Sequence, residues 1–199
     1  SKQKKSGKSG EKGLRKMEVQ CVLAGFPNTG KTTLFNILTG LKEKVSEHPF
    51  TTSVFRPGIF KVEEAAVQIV DSPSFPSHDK SLVNSCDTLL VVIDSLDQIE
   101  RSLDYTYRTK AIVVFIFNKI DLLSESQLRK LKATIKSKHK GKKFLFFGKN
   151  FTKKQVLELK EYIFSTFPVI RIYTKEPKKT ASKDPMILPL ESTFRYAVE

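Results

Sequence analysis

Short apolar runs alternate along the chain with segments in which apolar residues recur at helical spacing. The runs at 88–93 and 111–117 are almost wholly apolar and rich in β-branched residues. Strands of this kind are typical of the middle of a parallel sheet that helices cover on both faces. The alternation therefore predicts an α/β fold with a three-layer, doubly wound and mostly parallel sheet. Further strands are predicted at 19–24, 58–62, 66–70 and 144–147, and helices at 32–40, 124–138 and 152–164.

Both ends of the chain depart from this pattern. Residues 1–16 carry seven basic residues and one acidic residue among several Gly and Ser, so we predict a flexible basic arm. Residues 17–166 hold the alternating pattern and are predicted to form the main domain. Residues 167–199 offer two short strands, at 169–174 and 186–190, and the start of a helix. Because so small a segment cannot bury a core of its own, we expect it to be degenerate, docked on the main domain or incomplete.

The clearest chemical motif is GFPNTGKT at residues 25–32, which fits the pattern G-x-x-x-x-G-K-[ST] between a predicted strand and a predicted helix. A loop of this kind wraps a triphosphate with its backbone N–H groups, and the helix N-terminus adds partial positive charge. Lys31 is expected to reach the β- and γ-phosphates, and Thr32 to place its hydroxyl on Mg²⁺. The candidate nucleotide-binding residues of this segment are Gly25, Phe26, Pro27, Asn28, Thr29, Gly30, Lys31, Thr32 and Thr33.

A second motif, NKID at residues 118–121, follows the apolar run 111–117 and selects the base. The carboxylate of Asp121 can accept hydrogen bonds from guanine N1–H and from the exocyclic amine, whereas adenine presents no matching pair of donors. Leaving such a buried acceptor unpaired costs roughly 1–3 kcal/mol, which is enough to discriminate between the bases. Asn118, Lys119 and Asp121 are therefore candidate guanine-site residues, and an ATP-using enzyme is disfavoured.

Two segments between these motifs complete a predicted magnesium and γ-phosphate site. Asp71 ends a predicted strand and is expected to hold a Mg²⁺-bound water, and the backbone N–H of Ser74 is expected to meet the γ-phosphate. Thr51 and Thr52 lie in the stretch 42–57, where one of them can give Mg²⁺ a second hydroxyl; an ordinary turn is the alternative for this pair. The predicted metal ligands are thus Thr32, Thr52 and Asp71, with a loop that orders when the γ-phosphate is present.

Together these residues resemble the translation-factor-like branch of P-loop GTPases, and within it the Obg and developmentally regulated GTP-binding (DRG) families. The resemblance rests on GFPNTGKTTLFNILTG, HPFTT at 48–52, DSPS at 71–74, NKID and the tail VIRIYTKEPKK, and it spans roughly residues 17–199. It implies a GTPase domain that binds GTP or GDP with Mg²⁺ and associates with ribosomes or RNA. The tail is similar to the first strand and loop of a TGS domain, a small β-grasp unit.

The resemblance also implies roles for single residues. Thr52 aligns with the Mg²⁺-binding threonine of switch I and, with Lys31 and Asn28, is a predicted catalytic residue. Asn28 stands where related GTPases have an asparagine that helps to bind K⁺ beside the phosphates, and an ordinary loop asparagine is the alternative. The backbone of Gly148 and Lys149 follows the predicted strand at 144–147 and is expected to meet guanine O6.

Three features depart from the family pattern near the γ-phosphate. Ser74 replaces the glycine of DxPG, which would cost about 1 kcal/mol if this position required a positive φ. Phe75 stands where Ras-like enzymes carry a water-orienting glutamine, so a catalytic polar group has to come from elsewhere, such as a regulatory partner. The segment from Asp71 to Asp94 is short for a switch II region. The sequence leaves two functions open: a slow, K⁺-stimulated GTPase switch that docks on the ribosome, and a nucleotide-binding RNA-docking module with little or no hydrolysis.

The charge of the chain points to a polyanionic partner. The formal net charge is +14, from 35 Lys and Arg against 21 Asp and Glu, which favours association with rRNA or ribosomes. Residues 129–143 carry eight basic residues and no acidic one, and either form part of this surface or are simply a solvated face. Because the aromatic residues lie mostly in apolar runs, we expect binding by shape and charge without base stacking. The remaining basic residues assigned to the surface are the arm and Lys175, Lys178, Lys179 and Lys183.

The apolar stretches and the two cysteines indicate the cellular compartment in which the protein is expected. No apolar stretch approaches the roughly 20 residues of a membrane span, so no membrane partner is expected. Cys21 and Cys86 lie in or near apolar runs and are expected to be reduced, and we predict a cytoplasmic protein. His78 and His139 are expected in polar loops without a metal-binding role.

Overall fold

The computed structural model describes residues 16–41, 55–149, 151–175, 178, 180–182 and 185–192. Several predictions from the sequence lie outside these residues. They are the basic arm up to residue 15, the magnesium ligand Thr52 with its neighbour Thr51, the C-terminal helix start, and Lys179 and Lys183.

Six strands build the main sheet. They are β1 (Gln20–Gly25), β2 (Arg56–Val62), β3 (Ala65–Asp71), β4 (Thr88–Ile93), β5 (Ile112–Phe117) and β6 (Lys143–Phe146). Their order across the sheet is β2-β3-β1-β4-β5-β6. All neighbouring pairs are parallel except β2 and β3, which form an antiparallel hairpin at one edge. The predicted mostly parallel, doubly wound sheet is therefore confirmed.

Five helices cover the two faces of this sheet. They are α1 (Lys31–Thr39), α2 (Lys80–Ser85), α3 (Asp97–Thr106), α4 (Glu125–Lys138) and α5 (Lys153–Ser165). Apolar residues of α1 and α5 pack on one face of the sheet, and apolar residues of α2, α3 and α4 pack on the other. β4 is buried along its whole length between the two layers, as its continuous apolar sequence requires.

Two of the helices are absent from the prediction, which otherwise differs from the observed elements by at most two residues at each end. α2 has only six residues and is capped by the preceding Asp79, whose carboxylate accepts hydrogen bonds from the backbone N–H groups of Ser81 and Leu82. α3 is mostly polar and buries Ile99 together with the two hydroxyl residues Ser102 and Thr106. Because hydroxyl side chains replace apolar ones on its buried face, the usual hydrophobic spacing is missing.

A separate two-stranded antiparallel sheet follows the main domain. It consists of β7 (Val169–Ile172) and β8 (Met186–Pro189). Ile187 joins the core cluster on the α1 and α5 side. Arg171 forms an ion pair with Glu63 in the turn between β2 and β3, and its guanidinium lies 4.2 Å from the centre of the Phe164 ring. Among the three expectations for this segment, the described residues show docking on the main domain.

Candidate nucleotide-binding site

The predicted nucleotide residues that the structure describes meet at the carboxyl edge of the main sheet. β1, β3, β4, β5 and β6 all end there, and the loops or helix starts that follow β1, β3, β5 and β6 carry the candidate residues. This edge is where ligands bind in open α/β sheets, since the neighbouring loops leave a crevice between them. Thr33 is the exception, because it lies on the exposed side of α1.

The loop after β1 needs glycine at both of its ends. A Cβ at Gly25 would lie 2.2 Å from the carbonyl oxygen of Val92 on β4, and a Cβ at Gly30 would lie 2.3 Å from Nδ2 of Asn118. Gly30 also has a φ of +94°, which side chains with a Cβ rarely adopt. The loop therefore packs so closely on the end of β4 and on Asn118 that a side chain at either glycine would clash.

Asn28 has a left-handed backbone conformation, with a φ of 60°, and its side chain is exposed. Asparagine tolerates this conformation better than most residues. The backbone alone is thus a sufficient reason for asparagine here, and an exposed amide also fits a cation beside the phosphates.

Lys31, the first residue of α1, points back into the loop. Its ammonium group donates hydrogen bonds to the carbonyl oxygen of Phe26 at 2.9 Å and to the hydroxyl of Ser74 at 2.7 Å. Burial lowers the pKa of Lys31 to about 8, and the nearby carboxylate of Asp71 only partly opposes this shift. The ammonium group is therefore held, largely out of water, between the loops that follow β1 and β3.

Ser74 has an ordinary backbone conformation in this structure. It is absent from the described non-glycine residues with a positive φ, so the strain expected for serine at this position does not occur. Its hydroxyl instead bonds to Lys31, a contact that the glycine of the family pattern cannot make. The serine therefore adds a side-chain link between the loops that follow β1 and β3.

Two oxygen-bearing side chains, one at the start of α1 and one at the end of β3, lie side by side. The hydroxyl of Thr32 donates to Oδ2 of Asp71 at 2.8 Å, and Asp71 is fully buried at the end of β3. Hard oxygen ligands of this kind suit Mg²⁺, which usually keeps several waters and takes substrate phosphates as further ligands. Among the described residues, no three His, Cys, Asp or Glu side chains converge to hold a metal without such help.

The NKID motif connects the phosphate loop to the predicted guanine site. Nδ2 of Asn118 donates to the carbonyl oxygen of Thr29 at 2.9 Å. Asp121 is exposed, and its Oδ1 accepts a hydrogen bond from the backbone N–H of Lys149 at 2.8 Å. Gly148 lies directly against Asp121, with only 3.0 Å between Oδ1 and the place of a Cβ. The structure thus brings Asp121 and the predicted segment 148–149 together at one place.

Sequence reasoning missed a polar network that holds Lys119. Its ammonium group lies 2.6 Å from Oδ2 of Asp94, the residue that follows β4. Gln98 on α3 exchanges two hydrogen bonds with Asp94, one with its side chain and one with its backbone N–H. The sequence offered one signal for this network, because Asp94 directly follows the apolar run that forms β4, the neighbour of β5. Asp94 therefore fixes the position of the ammonium group of this NKID lysine.

A buried aromatic cluster lies beneath the loops after β1 and β3. Phe75 is 1% exposed, stacks on Tyr105 of α3 at 4.6 Å and meets the edge of Phe26 at 5.4 Å. His78 also packs on Phe75, and its ring is buried rather than in a polar loop as expected. Burial lowers the pKa of His78, so its neutral form is favoured. Phe75 therefore anchors the segment after β3 and presents no polar atom to the crevice.

The described polyanion-binding lysines lie outside the candidate nucleotide site, and the end of the arm lies at the opposite, amino edge of the sheet. Lys132, Lys136 and Lys140 are exposed along α4 and the loop that follows it. Lys175 and Lys178 are also exposed, near the small sheet. Lys16, the last residue of the predicted arm, forms an ion pair with Asp87 at 2.6 Å.

Every helix in the described part of the chain is too short or too polar to cross a lipid bilayer.

Comparison with known proteins identifies relatives of part of the chain. The developmentally-regulated G-protein 3 of Arabidopsis thaliana is 33% identical over 87 residues, which are 39% of this chain and 24% of that protein. The GTPase Obg of Rickettsia massiliae is 28% identical over 127 residues, which are 54% of this chain and 38% of that protein. The chain thus spans about a quarter to two fifths of the length of these relatives.

A solved structure agrees with the fold. NFeoB from S. thermophilus, bound to GDP, AlF₄⁻ and K⁺, superposes with a TM-score of 0.56 at 28% identity, covering 78% of this chain and 67% of that one.

Residues 20–119, half of the chain, match the family described as 50S ribosome-binding GTPase, and this range holds the phosphate loop, Asp71 and the first residues of NKID. The chain belongs to the family of 50S ribosome-binding GTPases, with relatives among the Obg and DRG proteins.

Proposed function

We propose that this chain is a guanine-nucleotide switch that hydrolyses GTP slowly and docks on the ribosome through rRNA. The observation that carries the proposal is the bond between Asn118 and the carbonyl of Thr29, which joins the phosphate loop to the base-selecting motif at one edge of the sheet. A phosphate loop alone serves many nucleotides, whereas its connection to NKID matches a guanine nucleotide.

The residues around the phosphates have separate tasks in this proposal. The backbone of residues 25–30 and the N-terminus of α1 bind the phosphate oxygens, and Lys31 neutralises the β- and γ-phosphates. Thr32 and Asp71 would hold Mg²⁺, directly or through water, and Thr52 would be a further ligand. When bound, Mg²⁺ neutralises charge that develops on the phosphate oxygens. Asp121 accepts from guanine, and the backbone at 148–149 meets O6.

Hydrolysis requires water to attack the γ-phosphorus while the bond to the β-phosphate oxygen breaks, giving GDP and phosphate. Lys31 stabilises the charge of this transition state. Phe75 cannot orient the water, since its ring is buried against Phe26 and Tyr105. We therefore propose that the missing group is supplied by K⁺ held at Asn28, by a regulatory protein, or by both, and that the chain alone is slow.

Guanine recognition can be tested by nucleotide displacement. Fluorescent GDP should bind, and GTP but not ATP should displace it. Asp121→Asn replaces an acceptor by an amide that can donate to the C2 carbonyl of xanthine, so this variant should prefer xanthosine diphosphate over GDP. Asp104→Asn, with the same charge change on the exposed side of α3, should keep the wild-type preference. Equal displacement by ATP and GTP would remove the guanine assignment.

Docking on the ribosome is supported by the family to which the chain belongs and by its charge of +14. We propose that this occurs in the cytoplasm, and that residues 167–199 begin a TGS-like unit. Co-sedimentation with ribosomes in the presence of GDP or a non-hydrolysable GTP analogue should show a nucleotide-dependent bound fraction that falls as salt rises. A bound fraction that ignores both nucleotide and salt would contradict the proposal.

A second candidate is a nucleotide-binding docking module with little or no hydrolysis. The apolar burial of Phe75 favours it, because the described residues offer no substitute for a water-orienting side chain there. Single-turnover hydrolysis in K⁺ and in Na⁺, with and without ribosomes, separates the two functions. A rate stimulated by K⁺ or by ribosomes supports the enzyme, and no measurable rate under any of these conditions supports the module.

A further inference from the structure

A pocket of about 620 Å³ opens between the C-terminal half of α4 and the edge strand β6. It lies along β6 before the chain reaches residues 147–149, and it shares no residue with the nucleotide site. Its volume falls within the range of pockets that hold small organic groups. Its floor and its walls differ in chemistry, which restricts what it can bind.

The floor of the pocket is the end of an aromatic ladder. Phe144 of β6 pairs in register with Phe115 of β5, and their rings stack at 5.0 Å with 20° between their planes. Phe146 stacks in the same way on Phe117, at 6.2 Å and 30°. Because β6 is the last strand of the sheet, no further described strand continues the ladder. The half-buried rings of Phe144 and Phe146 therefore line the pocket.

The walls of the pocket are cationic. Lys132, Lys136, Lys140 and Lys142 line it, and it contains no acidic lining residue. The ammonium group of Lys132 lies 5.2 Å from the centre of the Phe146 ring, so charge and aromatic surface are directly adjacent. Among the described ion pairs that involve a lining residue, the acidic partner is Glu100, which lies 3.4 Å from Nδ1 of the nearly buried His139.

We propose that this pocket binds an unpaired base of single-stranded RNA, stacked on Phe144, with the flanking phosphates on the surrounding lysines. Any base can extend the ladder by one ring, since every base has a flat face, and the flexible lysines match a polyanionic backbone. An acidic peptide would match the charge alone and would not extend the aromatic stack. The proposal rests on the proposed docking to rRNA and gives it a site. It also revises the expectation of binding without base stacking.

The test compares single strands that differ only in their bases. The probe is a fluorescently labelled 12-nucleotide oligouridylate, measured against a strand of equal length in which the central nucleotides are abasic. Both carry the same phosphates, so the ratio of their dissociation constants isolates the bases. Wild-type protein at fixed moderate salt should bind the base-containing strand about tenfold more tightly, consistent with one stacked base.

Three variants separate stacking from charge. Phe144→Leu keeps apolar volume on the floor but removes the ring, and it should reduce the preference for bases to nearly one while circular dichroism stays unchanged. The double variant Lys136→Gln and Lys140→Gln should weaken both strands equally. The matched control, Lys153→Gln and Lys154→Gln, makes the same charge change at the exposed start of α5, which covers the opposite face of the sheet. This control should weaken binding less.

The outcomes also distinguish this proposal from the proposed function. Binding of GDP should be equal in wild type and in Phe144→Leu, because the pocket is separate from the nucleotide site. If RNA binds without any preference for bases, or if Phe144→Leu keeps the preference, the stacking site is refuted while the GTPase switch stands. Displacement of the RNA by oligoglutamate of equal charge as effectively as by unlabelled RNA would also overturn the proposal. If the wild type does not bind GDP but shows the expected preference for bases, the proposed function is overturned and the stacking site stands.

Discussion

Two glycines with similar backbone conformations allow the phosphate loop to be tested with a matched pair of substitutions. Gly30 has a φ of +94° and Gly40 a φ of +75°, so alanine is strained at either position by about 1–2 kcal/mol. Their surroundings differ. A Cβ at Gly40 meets nothing within 4 Å, whereas a Cβ at Gly30 lies 2.3 Å from Nδ2 of Asn118.

The clash has a calculable consequence. Asn118 must move away from the Cβ of Gly30→Ala and lose its hydrogen bond to the carbonyl of Thr29, which is worth about 1 kcal/mol. We therefore expect Gly40→Ala to lower the free energy of unfolding by about 1–2 kcal/mol and Gly30→Ala by about 2–3 kcal/mol. Affinity for GDP should be unchanged in Gly40→Ala and at least about tenfold weaker in Gly30→Ala, because only the latter separates the two nucleotide motifs.

Urea denaturation without nucleotide measures the first quantity, and titration with fluorescent GDP measures the second. The double variant Gly30→Ala with Asn118→Ala tests the cause, since removing the amide removes the clash. Its loss of stability should be smaller than the sum of the two single losses. Equal GDP affinity in Gly30→Ala and Gly40→Ala, or strictly additive stability losses, would refute the proposed coupling between the phosphate loop and Asn118.

Three further predictions concern single residues. Bound phosphates raise the pKa of Lys31 above its value of about 8 in the free protein, so GDP affinity should be full below about pH 7 and about tenfold lower at pH 9. Lys31→Arg keeps its charge over this range and should show a flatter profile; parallel profiles would contradict this assignment. Asp94→Asn should weaken GDP binding several-fold in equilibrium titration with little change in stability, because its ion pair with Lys119 is partly exposed; unchanged affinity would mean that Asp94 does not position Lys119. Phe75→Ala should lower the free energy of unfolding by about 3–5 kcal/mol in urea denaturation, and a loss below 1 kcal/mol would be inconsistent with its buried stacking.

The segment after β3 shows how two changes from the family pattern fit together. Phe75 is anchored under Phe26, and its backbone N–H donates to the carbonyl oxygen of Gly25 at 2.9 Å. Ser74, beside it, bonds to Lys31. The loops after β1 and β3 are thus joined through backbone, hydroxyl and ring contacts. Any rearrangement of Ser74 toward a γ-phosphate would first have to break its bond to Lys31.

Local patterns were sufficient to predict much of the fold and to select candidate residues that the structure brings to one edge of the sheet. The apolar runs that became β4 and β5 could only be stable between two helical layers, and the phosphate loop and NKID have geometric requirements that few other residues meet. α3 escaped prediction because its buried face uses Ser102 and Thr106, whose burial depends on hydrogen bonds to the helix backbone. No periodicity in the sequence reports such bonds.

Contacts between residues that are far apart in the sequence could be identified only from the folded chain. The amino-acid sequence carries the strands, the phosphate loop, the guanine motif and the charge of +14, since these follow from composition and spacing. The pairing of Asp94 with Lys119, the burial of Phe75 and His78, and the aromatic floor of the basic pocket depend on which strands are neighbours. Strand order and register arise from packing across the whole sheet, so contacts between residues far apart in sequence appear only once the sheet has formed.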